Sequence, residues 1–136
     1  GVSKKPTYVA GFPESMKTEL QVNGESGSRP YAIVIPIKKD AEWWGLDQEA
    51  RTALMQEHTQ AALPYLKTVK RKLYHSTGLD DVDFITYFET EKLEDFHNLV
   101  RALQQVKEFR HNRRFGHPTL LGTMSPLDEI LEKFAQ

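Results

Sequence analysis

From Tyr31 onward, the sequence alternates between short strand-like segments and amphipathic helical segments, and this order constrains the fold more than any other feature. The segment Tyr31–Lys39 (YAIVIPIKK) is almost continuously apolar and rich in β-branched residues, which predicts a strand buried on both faces. Apolar residues at helical spacing follow between Asp47 and Leu63, and Pro64 limits the extent of that helix. The ordered region is therefore predicted to open with a strand and a helix.

Two segments of alternating polarity, Thr68–Ser76 and Asp83–Glu89, predict a pair of strands joined by a glycine-containing turn. Within the first segment, Val69, Arg71 and Leu73 share one face. Arg71 therefore occupies the inward face of a strand, where an apolar side chain is expected.

A second helix and a last strand complete the pattern. The apolar stripe of this helix has six members: Leu93, Phe96, Leu99, Val100, Leu103 and Val106. Thr119–Met124 predicts a short strand, and Ser125 followed by Pro126 predicts the start of a terminal helix. The order β-α-β-β-α-β is the split βαβ arrangement of ferredoxin-like folds. We therefore predict an α+β domain of the dimeric α/β-barrel type, with an antiparallel sheet, both helices on one face and an extra C-terminal helix.

The sheet of such a domain leaves one face without helices. Phe84, Thr86 and Phe88 share a face of their strand. The two phenylalanines predict that a partner sheet or a large ligand, and not water, covers the sheet on the side away from the helices.

Residues 1–30 are rich in Gly, Ser, Pro and charged side chains, which is typical of a linker. Residues 6–12 (PTYVAGF) also resemble residues 118–124 (PTLLGTM), which contain the last predicted strand. The match is so short that chance explains it as readily as an internal repeat. If it is a repeat, residues 1–16 are the tail of a preceding, missing ferredoxin-like half, and residues 31–136 form the second half.

Composition excludes several classes of site. The chain of 136 residues has no cysteine, which excludes disulfides, thiolate metal sites, thiol catalysis and covalent c-type haem attachment. The formal net charge of -1 gives no general attraction to nucleic acid or membranes. No apolar run approaches membrane-spanning length, and no signal peptide is visible. We therefore expect neither nucleic acid nor a membrane as a partner.

The positions of His58 and Arg71 in the sequence are the two that indicate a functional site. A lone histidine on the apolar face of a helix is more often a satisfied core residue than a ligand, but the small Ala61 and Ala62 would let a flat ligand approach. A guanidinium on an inward strand face is costly to bury unless an anion or a carboxylate pairs with it. Arg71 is therefore either an anion-holding cation or part of a structural salt bridge, for instance to Asp83 or Glu89.

Four further residues have both a chemical and a structural interpretation. Glu108, placed at the end of the second helix, is either an acceptor for a metal-ligating histidine or a solvated carboxylate. Lys39 ends a buried strand and is equally an ordinary strand-end charge. Trp43 and Trp44 either pack in the core or stack against a ring, and two adjacent tryptophans cannot both face the same way.

The basic segment 110–114, together with His117, is a weaker candidate for a nucleic-acid or partner site, which the net charge does not favour. The remaining histidines show no zinc-site spacing. No metalloprotease, phosphate-loop, dinucleotide-binding or nucleophile-elbow motif is present. Short motifs therefore assign no function to the chain.

Two longer stretches closely resemble the chlorite dismutases. They are residues 41–90 (AEWWGLDQEARTALMQEHTQAALPYLKTVKRKLYHSTGLDDVDFITYFET) and 106–123 (VKEFRHNRRFGHPTLLGT), and the similarity spans essentially residues 31–136. The resemblance is to the C-terminal, haem b-binding half of the long-chain, pentamer-forming lineage, whose chains carry two ferredoxin-like halves. Residues 1–12 look like the end of the N-terminal half of that lineage, in agreement with the short repeat.

The resemblance implies roles for nine residues. His58 matches the proximal ligand of the haem iron, Glu108 matches the acid hydrogen-bonded to that histidine, and Lys39 matches the lysine linked to both. Arg71 matches the single charged residue of the distal pocket and is the implied catalytic residue. The other residues implied to line the cofactor are Trp43, Trp44, Leu73, Thr86 and Phe88.

The function implied by the resemblance is haem b-dependent conversion of chlorite, a small anion, to chloride and dioxygen, with the O–O bond formed in a distal pocket held by Arg71. The resemblance also implies a homo-oligomer, which is a pentamer in the full-length lineage, and a periplasmic location. Two alternatives stay open. One is a coproheme decarboxylase-like enzyme, whose relatives typically lack the distal arginine, and the other is a non-catalytic fragment without haem.

Overall fold

The computed structural model describes residues 2–3, 11–20 and 30–135. Its strands are β1 (Val2–Ser3), β2 (Tyr31–Lys39), β3 (Val69–His75), β4 (Phe84–Thr90), β5 (Asn112–Phe115) and β6 (Leu120–Thr123). Its α-helices are α1 (Glu14–Leu20), α2 (Ala41–Gly45), α3 (Gln48–Ala62), α4 (Leu93–Leu103) and α5 (Leu127–Ala135). Two 3₁₀ segments, Leu63–Tyr65 and Lys107–His111, follow α3 and α4.

The six described strands form one antiparallel sheet in the order β1-β3-β4-β2-β5, and β6 also pairs with β2. β6 pairs with residues 31–34 of β2 and β5 pairs with residues 37–39, so the two short strands follow one another along the same edge. α3 connects β2 to β3, and α4 connects β4 to the chain that forms β5 and β6. This is a ferredoxin-like topology, and the predicted α+β fold class is confirmed.

Aspartates mark the N-termini of the two helices that follow β2. The Asp47 carboxylate accepts a hydrogen bond from the Ala50 N–H at 2.7 Å, and α3 begins at the next residue after Asp47. Asp40 caps α2 in the same way, by accepting from the Trp43 N–H at 2.8 Å. These two caps fix the path of the chain from β2 into α3, the helix that carries His58.

The main core lies between the sheet and the helices. It contains six buried side chains: Ile33, Ile35, Val69, Phe88, Leu99 and Leu103. In β2, Ile33, Ile35 and Lys39 are buried on the helix-facing side, whereas the even-numbered residues of the strand are only half-buried. The predicted strand is therefore present, but the prediction that it is fully buried on both faces is wrong.

Strand register places Phe84 and Phe88 on the helix-facing side of the sheet. Phe88 pairs with Ile33 and Phe84 pairs with Ile37, and the Phe88 ring lies 5.1 Å from the ring of Phe96 in α4, between centroids. The prediction that these phenylalanines mark a covered outer face is therefore wrong. Alternation shows which side chains share a face, but it does not show which of the two faces carries the helices.

The chain between α4 and β6 differs most from the prediction. α4 ends at Leu103, and the 3₁₀ segment Lys107–His111 then leads into β5, a short strand with two arginines that was not predicted. Glu108 therefore lies in a 3₁₀ turn, and its predicted position at the end of the second helix is wrong. Val106 is 8% exposed, so buried apolar residues continue beyond the end of α4. For this reason the apolar stripe in the sequence is longer than the helix itself.

The described part of the N-terminal region, which contains α1, packs against the domain. Phe12 and Met16 form a second buried cluster with Trp43 and Met55. Much of the predicted linker lies outside the described residues. The interpretation of residues 1–30 as a linker and the tail of a preceding half stays a prediction.

α5 leaves its apolar side exposed. The large apolar residues of this helix follow helical spacing and are all exposed: Leu127, Ile130, Leu131 and Phe134. Among the residues that the structure describes, no helix is both long enough and apolar enough to cross a membrane. α5 is therefore an amphipathic surface helix within the described part of the chain.

Leu99→Ala should lower the free energy of unfolding by about 2–5 kcal/mol, because it leaves a cavity in the core. Leu99 is 4% exposed, whereas Leu127 in α5 is 71% exposed, so Leu127→Ala is the matched control. We expect that control to change the free energy by less than about 0.5 kcal/mol. Urea unfolding followed by circular dichroism measures both variants, and equal losses would contradict the assigned core.

Candidate functional site

His58 and Glu108 form the centre of the site. The His58 Nδ1–H donates a hydrogen bond to Glu108 Oε2 at 2.9 Å, which joins α3 to the 3₁₀ segment after α4. Because an ionised carboxylate only accepts hydrogen bonds, Nδ1 carries the proton and Nε2 keeps its lone pair. The His58 side chain is 27% exposed, whereas that of Glu108 is 4% exposed. The structure thus brings together two of the predicted site residues.

Lys39 binds the other oxygen of the same carboxylate. Its Nζ donates to Glu108 Oε1, and both side chains are buried. Burial raises the pKa of Glu108, but the hydrogen bond from His58, the electrostatic interaction with His58 and the positive charge of Lys39 outweigh it and lower that pKa to about 2. Glu108 is therefore ionised at neutral pH. We call Lys39, Glu108 and His58 the lysine–glutamate–histidine chain.

Local backbone features bring these three side chains together. The pairing of β2 with β5 shifts register between Lys38 and Lys39, because β5 contains one extra residue, Arg113, at this point. On the other side, the Lys107 N–H donates to Glu57 Oε1 at 3.2 Å. This bond ties the 3₁₀ segment to α3 at the residues that precede Glu108 and His58.

Trp43 and Trp44 point in different directions, as expected of neighbours in one short helix. Lys39 Nζ lies 4.3 Å from the centroid of the Trp43 ring, and Trp43 is buried. Trp44 is 43% exposed, and its ring stacks against Phe84 of β4 with centroids 6.2 Å apart. Trp43 therefore borders the lysine–glutamate–histidine chain, whereas Trp44 lies against the helix-facing side of the sheet.

Arg71, Leu73, Thr86 and Phe88 share the helix-facing side of the sheet. Arg71 of β3 pairs with Phe88 of β4, and Leu73 pairs with Thr86. Arg71 is half-buried, and its inward position is confirmed. Phe88 belongs to the main core, so its contribution to a pocket stays a prediction. These residues share one surface of the sheet, on the side where α3 carries His58.

Asp83, which sequence analysis considered as a salt-bridge partner for Arg71, binds at the end of β2. Its Oδ2 accepts a hydrogen bond from the Lys39 N–H at 2.8 Å, and its Oδ1 lies 3.3 Å from Thr77 Oγ1. This contact was not predicted, because a hydrogen bond that a carboxylate accepts from a backbone N–H 44 residues away leaves no pattern in the sequence.

A second histidine–carboxylate pair lies beside the 3₁₀ segment. His111 Nδ1 is 3.1 Å from Asp40 Oδ1. Asp40 was not predicted to belong to a site, and His111 was considered only as part of the basic segment 110–114. Glu42 brings a third possible metal-ligand atom to within 4.8 Å of these two. Lys107 and Arg110 line the same cavity, and their positive charges oppose the binding of a cation there.

The donor set around His58 fits a haem iron. Imidazole nitrogen is a common axial ligand of haem iron, and Nε2 is the free nitrogen because Nδ1 binds Glu108. A hydrogen bond from the ligating ring to a carboxylate fixes the ring and raises its basicity. The partial exposure of His58 keeps this nitrogen within reach of a ligand.

Similarity to known proteins gives the family. The chlorite dismutase family model matches residues 1–125 of the chain. The chain belongs to the chlorite dismutase family. A chlorite dismutase from Ideonella dechloratans is 51% identical over 134 residues, which cover 97% of this chain and 47% of that protein.

Two further proteins are similar to this chain. A coproheme decarboxylase from Mycolicibacterium smegmatis is 32% identical over 110 residues, which cover 79% of this chain and 47% of that protein. The solved structure of chlorite dismutase from Candidatus Nitrospira defluvii in complex with imidazole is 98% identical, with a TM-score of 0.96. It is matched over 100% of this chain and 57% of its own. The chain thus spans about half the length of the curated relatives it matches.

Glu108 should make the stability of the fold sensitive to acid. Its pKa is lowered to about 2 in the folded protein, whereas an unfolded glutamate titrates near 4.3. The stabilisation that ionised Glu108 gives to the folded protein is therefore complete at a pH above the pKa of the unfolded chain, and it is lost as the pH falls toward about 2. Glu108→Gln should flatten this dependence. At neutral pH it should cost about 3–5 kcal/mol, because Lys39 is left buried without its counter-ion.

Urea unfolding of the wild type and of Glu108→Gln, at several pH values between about 5 and 2, measures this dependence. Glu91→Gln removes an exposed carboxylate and is the matched control, which should follow the wild-type curve. Parallel curves for the wild type and Glu108→Gln would show that the buried carboxylate does not carry the acid sensitivity.

Proposed function

We propose that the chain is the haem b-binding half of an enzyme that converts chlorite to chloride and dioxygen. The observation that carries the proposal is the lysine–glutamate–histidine chain, which leaves Nε2 of the partly exposed His58 free to bind iron. The 51% identity to a chlorite dismutase supports the same reaction. The sequence resemblance at Arg71 supports an anionic substrate.

Glu108 and Lys39 set the properties of His58. The Glu108 carboxylate accepts the Nδ1 proton, fixes the orientation of the ring and increases the basicity of Nε2. Lys39 compensates the negative charge of Glu108, so the buried site carries a balanced set of charges. Haem b, when bound, supplies an iron centre that exchanges an oxygen atom with an oxyanion.

Arg71 is the group proposed to hold the substrate. Chlorite and the chlorine-containing fragment left after its first Cl–O bond breaks are both anions, and a guanidinium offers them charge-assisted hydrogen bonds. Apolar neighbours such as Leu73 exclude water and strengthen this electrostatic hold. Both oxygen atoms of chlorite leave as dioxygen and the chlorine leaves as chloride, so atoms and electrons balance without a further oxidant.

A coproheme decarboxylase-like activity is the second candidate, and the 32% identity to such an enzyme favours it. An enzyme of that kind acts on the porphyrin itself, so its site needs no cation to hold a small oxyanion. The half-buried Arg71 on the helix-facing side of β3 therefore favours the chlorite reaction. Oxygen evolution on addition of chlorite distinguishes the two activities.

We also propose that the protein assembles as a homo-oligomer. Large apolar side chains are exposed on β6 and α5, including Leu120 at 56%, Leu121 at 60% and Phe134 at 84%. Contiguous exposed apolar surface is typical of interaction sites. The pentameric state and the periplasmic location are proposed on the family resemblance alone.

His58→Ala should abolish stable haem binding, because it removes the nitrogen that Glu108 orients toward the iron. Titration of haem b into the purified protein, followed at the Soret band, measures the affinity. His97→Ala is the matched control, since His97 is exposed on α4 and should leave the titration unchanged. A wild-type protein without a defined Soret band would instead support the non-catalytic fragment.

Arg71→Ala should keep haem but lower oxygen release from chlorite by about 10²-fold, because the anions lose their charged donor. It should also release hypochlorite into solution, where a chlorination-sensitive dye traps it. An oxygen electrode measures the yield, and Arg113→Ala, at an exposed arginine of β5, is the control. A normal oxygen yield from the Arg71 variant would contradict its assigned role.

A further inference from the structure

Asp83 is a buried carboxylate directly before β4, and the proposed reaction does not use it. It is 4% exposed, and its Oδ2 accepts the backbone N–H of Lys39 at 2.8 Å. The Lys39 ammonium donates a hydrogen bond to Glu108, which also accepts one from His58. The Asp83 carboxylate therefore contacts the lysine–glutamate–histidine chain through the backbone N–H of Lys39.

The backbone explains why a side chain is needed at this point. The ladder between β2 and β4 ends at the pair Ile37 and Phe84, and the Asp83 N–H then donates to the Ile37 carbonyl at 2.9 Å. Beyond Ile37, the register of β2 with β5 shifts between Lys38 and Lys39, where Arg113 of β5 is left without a partner in the pairing. The Asp83 carboxylate accepts the Lys39 N–H where the regular β4 pairing has ended, and a bond to a charged acceptor is stronger than a ladder bond.

Asp83 is itself held by the turn between β3 and β4. The Ser76 N–H donates to the Asp83 carbonyl at 2.8 Å, and Thr77 Oγ1 lies 3.3 Å from Asp83 Oδ1. Ser76 follows directly after β3, the strand that carries Arg71. The position of Lys39 is therefore tied to the same hairpin that presents the proposed substrate-holding arginine.

We propose that Asp83 is a positioning residue that fixes the Lys39 backbone, so that the Lys39 ammonium holds Glu108 in the orientation that accepts the His58 Nδ1 proton. This inference rests on the proposed function for the part that concerns haem. It assigns Asp83 no contact with the cofactor or the substrate. Its effect on the iron passes through Lys39 and Glu108, both of which are buried.

Two variants test the proposal through two readouts that a general loss of stability does not move. Asp83→Ala removes both acceptor oxygens, whereas Asp83→Asn keeps one oxygen and the side-chain volume. The first readout is the ring ¹⁵N shifts of His58 in the haem-free protein, at a pH where the imidazole is neutral. These shifts report which ring nitrogen carries the proton. The second readout is the ferric–ferrous midpoint potential of the haem-loaded protein.

We expect Asp83→Ala to reduce the fraction of His58 that carries its proton on Nδ1. It should also move the midpoint potential in the same direction as Lys39→Ala does. Asp83→Asn should give a smaller change in both readouts, because its amide oxygen still accepts the Lys39 N–H. If Asp83→Ala does not fold, Asp83→Leu, which also lacks an acceptor but fills more of the space, takes its place, and wild-type values in both readouts would overturn the proposal.

Thr90→Ala is the matched control at the other end of β4. Thr90 is 0% exposed, its Oγ1 donates to the Thr68 carbonyl at 3.0 Å, and it accepts the Lys92 N–H at 3.1 Å. This variant should lower the melting temperature and leave both readouts at their wild-type values. An Asp83→Ala variant that behaves like Thr90→Ala would overturn the positioning role. If the wild type takes up no haem, the proposed function fails, while the His58 ring shifts still decide the role of Asp83.

Discussion

A buried carboxylate that binds two side chains at once is the interaction on which the site depends. One oxygen of Glu108 accepts a hydrogen bond from the Nδ1–H of His58, and the other accepts one from the ammonium of Lys39. The three residues come from a helix, a 3₁₀ turn and the end of a strand, so the contact joins three separate parts of the fold. Burying this charge is unfavourable unless both partners are in place, and their presence lowers the pKa of Glu108 to about 2.

The ferredoxin-like topology places the cation Arg71 on the sheet, whereas His58 lies in the layer of helices. α3 carries His58 and packs on the sheet, while Arg71 lies on the helix-facing side of β3, beside the β4 residues Thr86 and Phe88. The same hairpin holds Lys39 through Asp83. The arrangement therefore links the residues proposed to bind the iron with the residue proposed to hold the anion. Rigid elements, and not loops, carry both groups.

Local patterns predict much of this fold, because strand alternation and helical spacing follow from burial on one face. They place β2, β3, β4 and α3 within one or two residues and put Arg71 on the inward side. Three features depend on contacts between distant residues and leave no such pattern. They are the helix-facing side of Phe84, the 3₁₀ turn that holds Glu108 and the bond from Asp83 to Lys39. The roles at the site came from the family resemblance, since a helical histidine and an inward arginine each have an ordinary structural explanation.

In the proposed function, Glu108 directs Nε2 of His58 to the haem iron. Resonance Raman spectroscopy of the ferrous, haem-loaded protein tests it most directly, because the iron–histidine stretching band reports both the ligand and the hydrogen bond on its other nitrogen. We expect a band that shifts when histidine is labelled with ¹⁵N and that lies at a higher frequency than in Glu108→Gln. A band that does not respond to the label, or that has the same frequency in both proteins, would show that Glu108 does not act on an iron-bound His58.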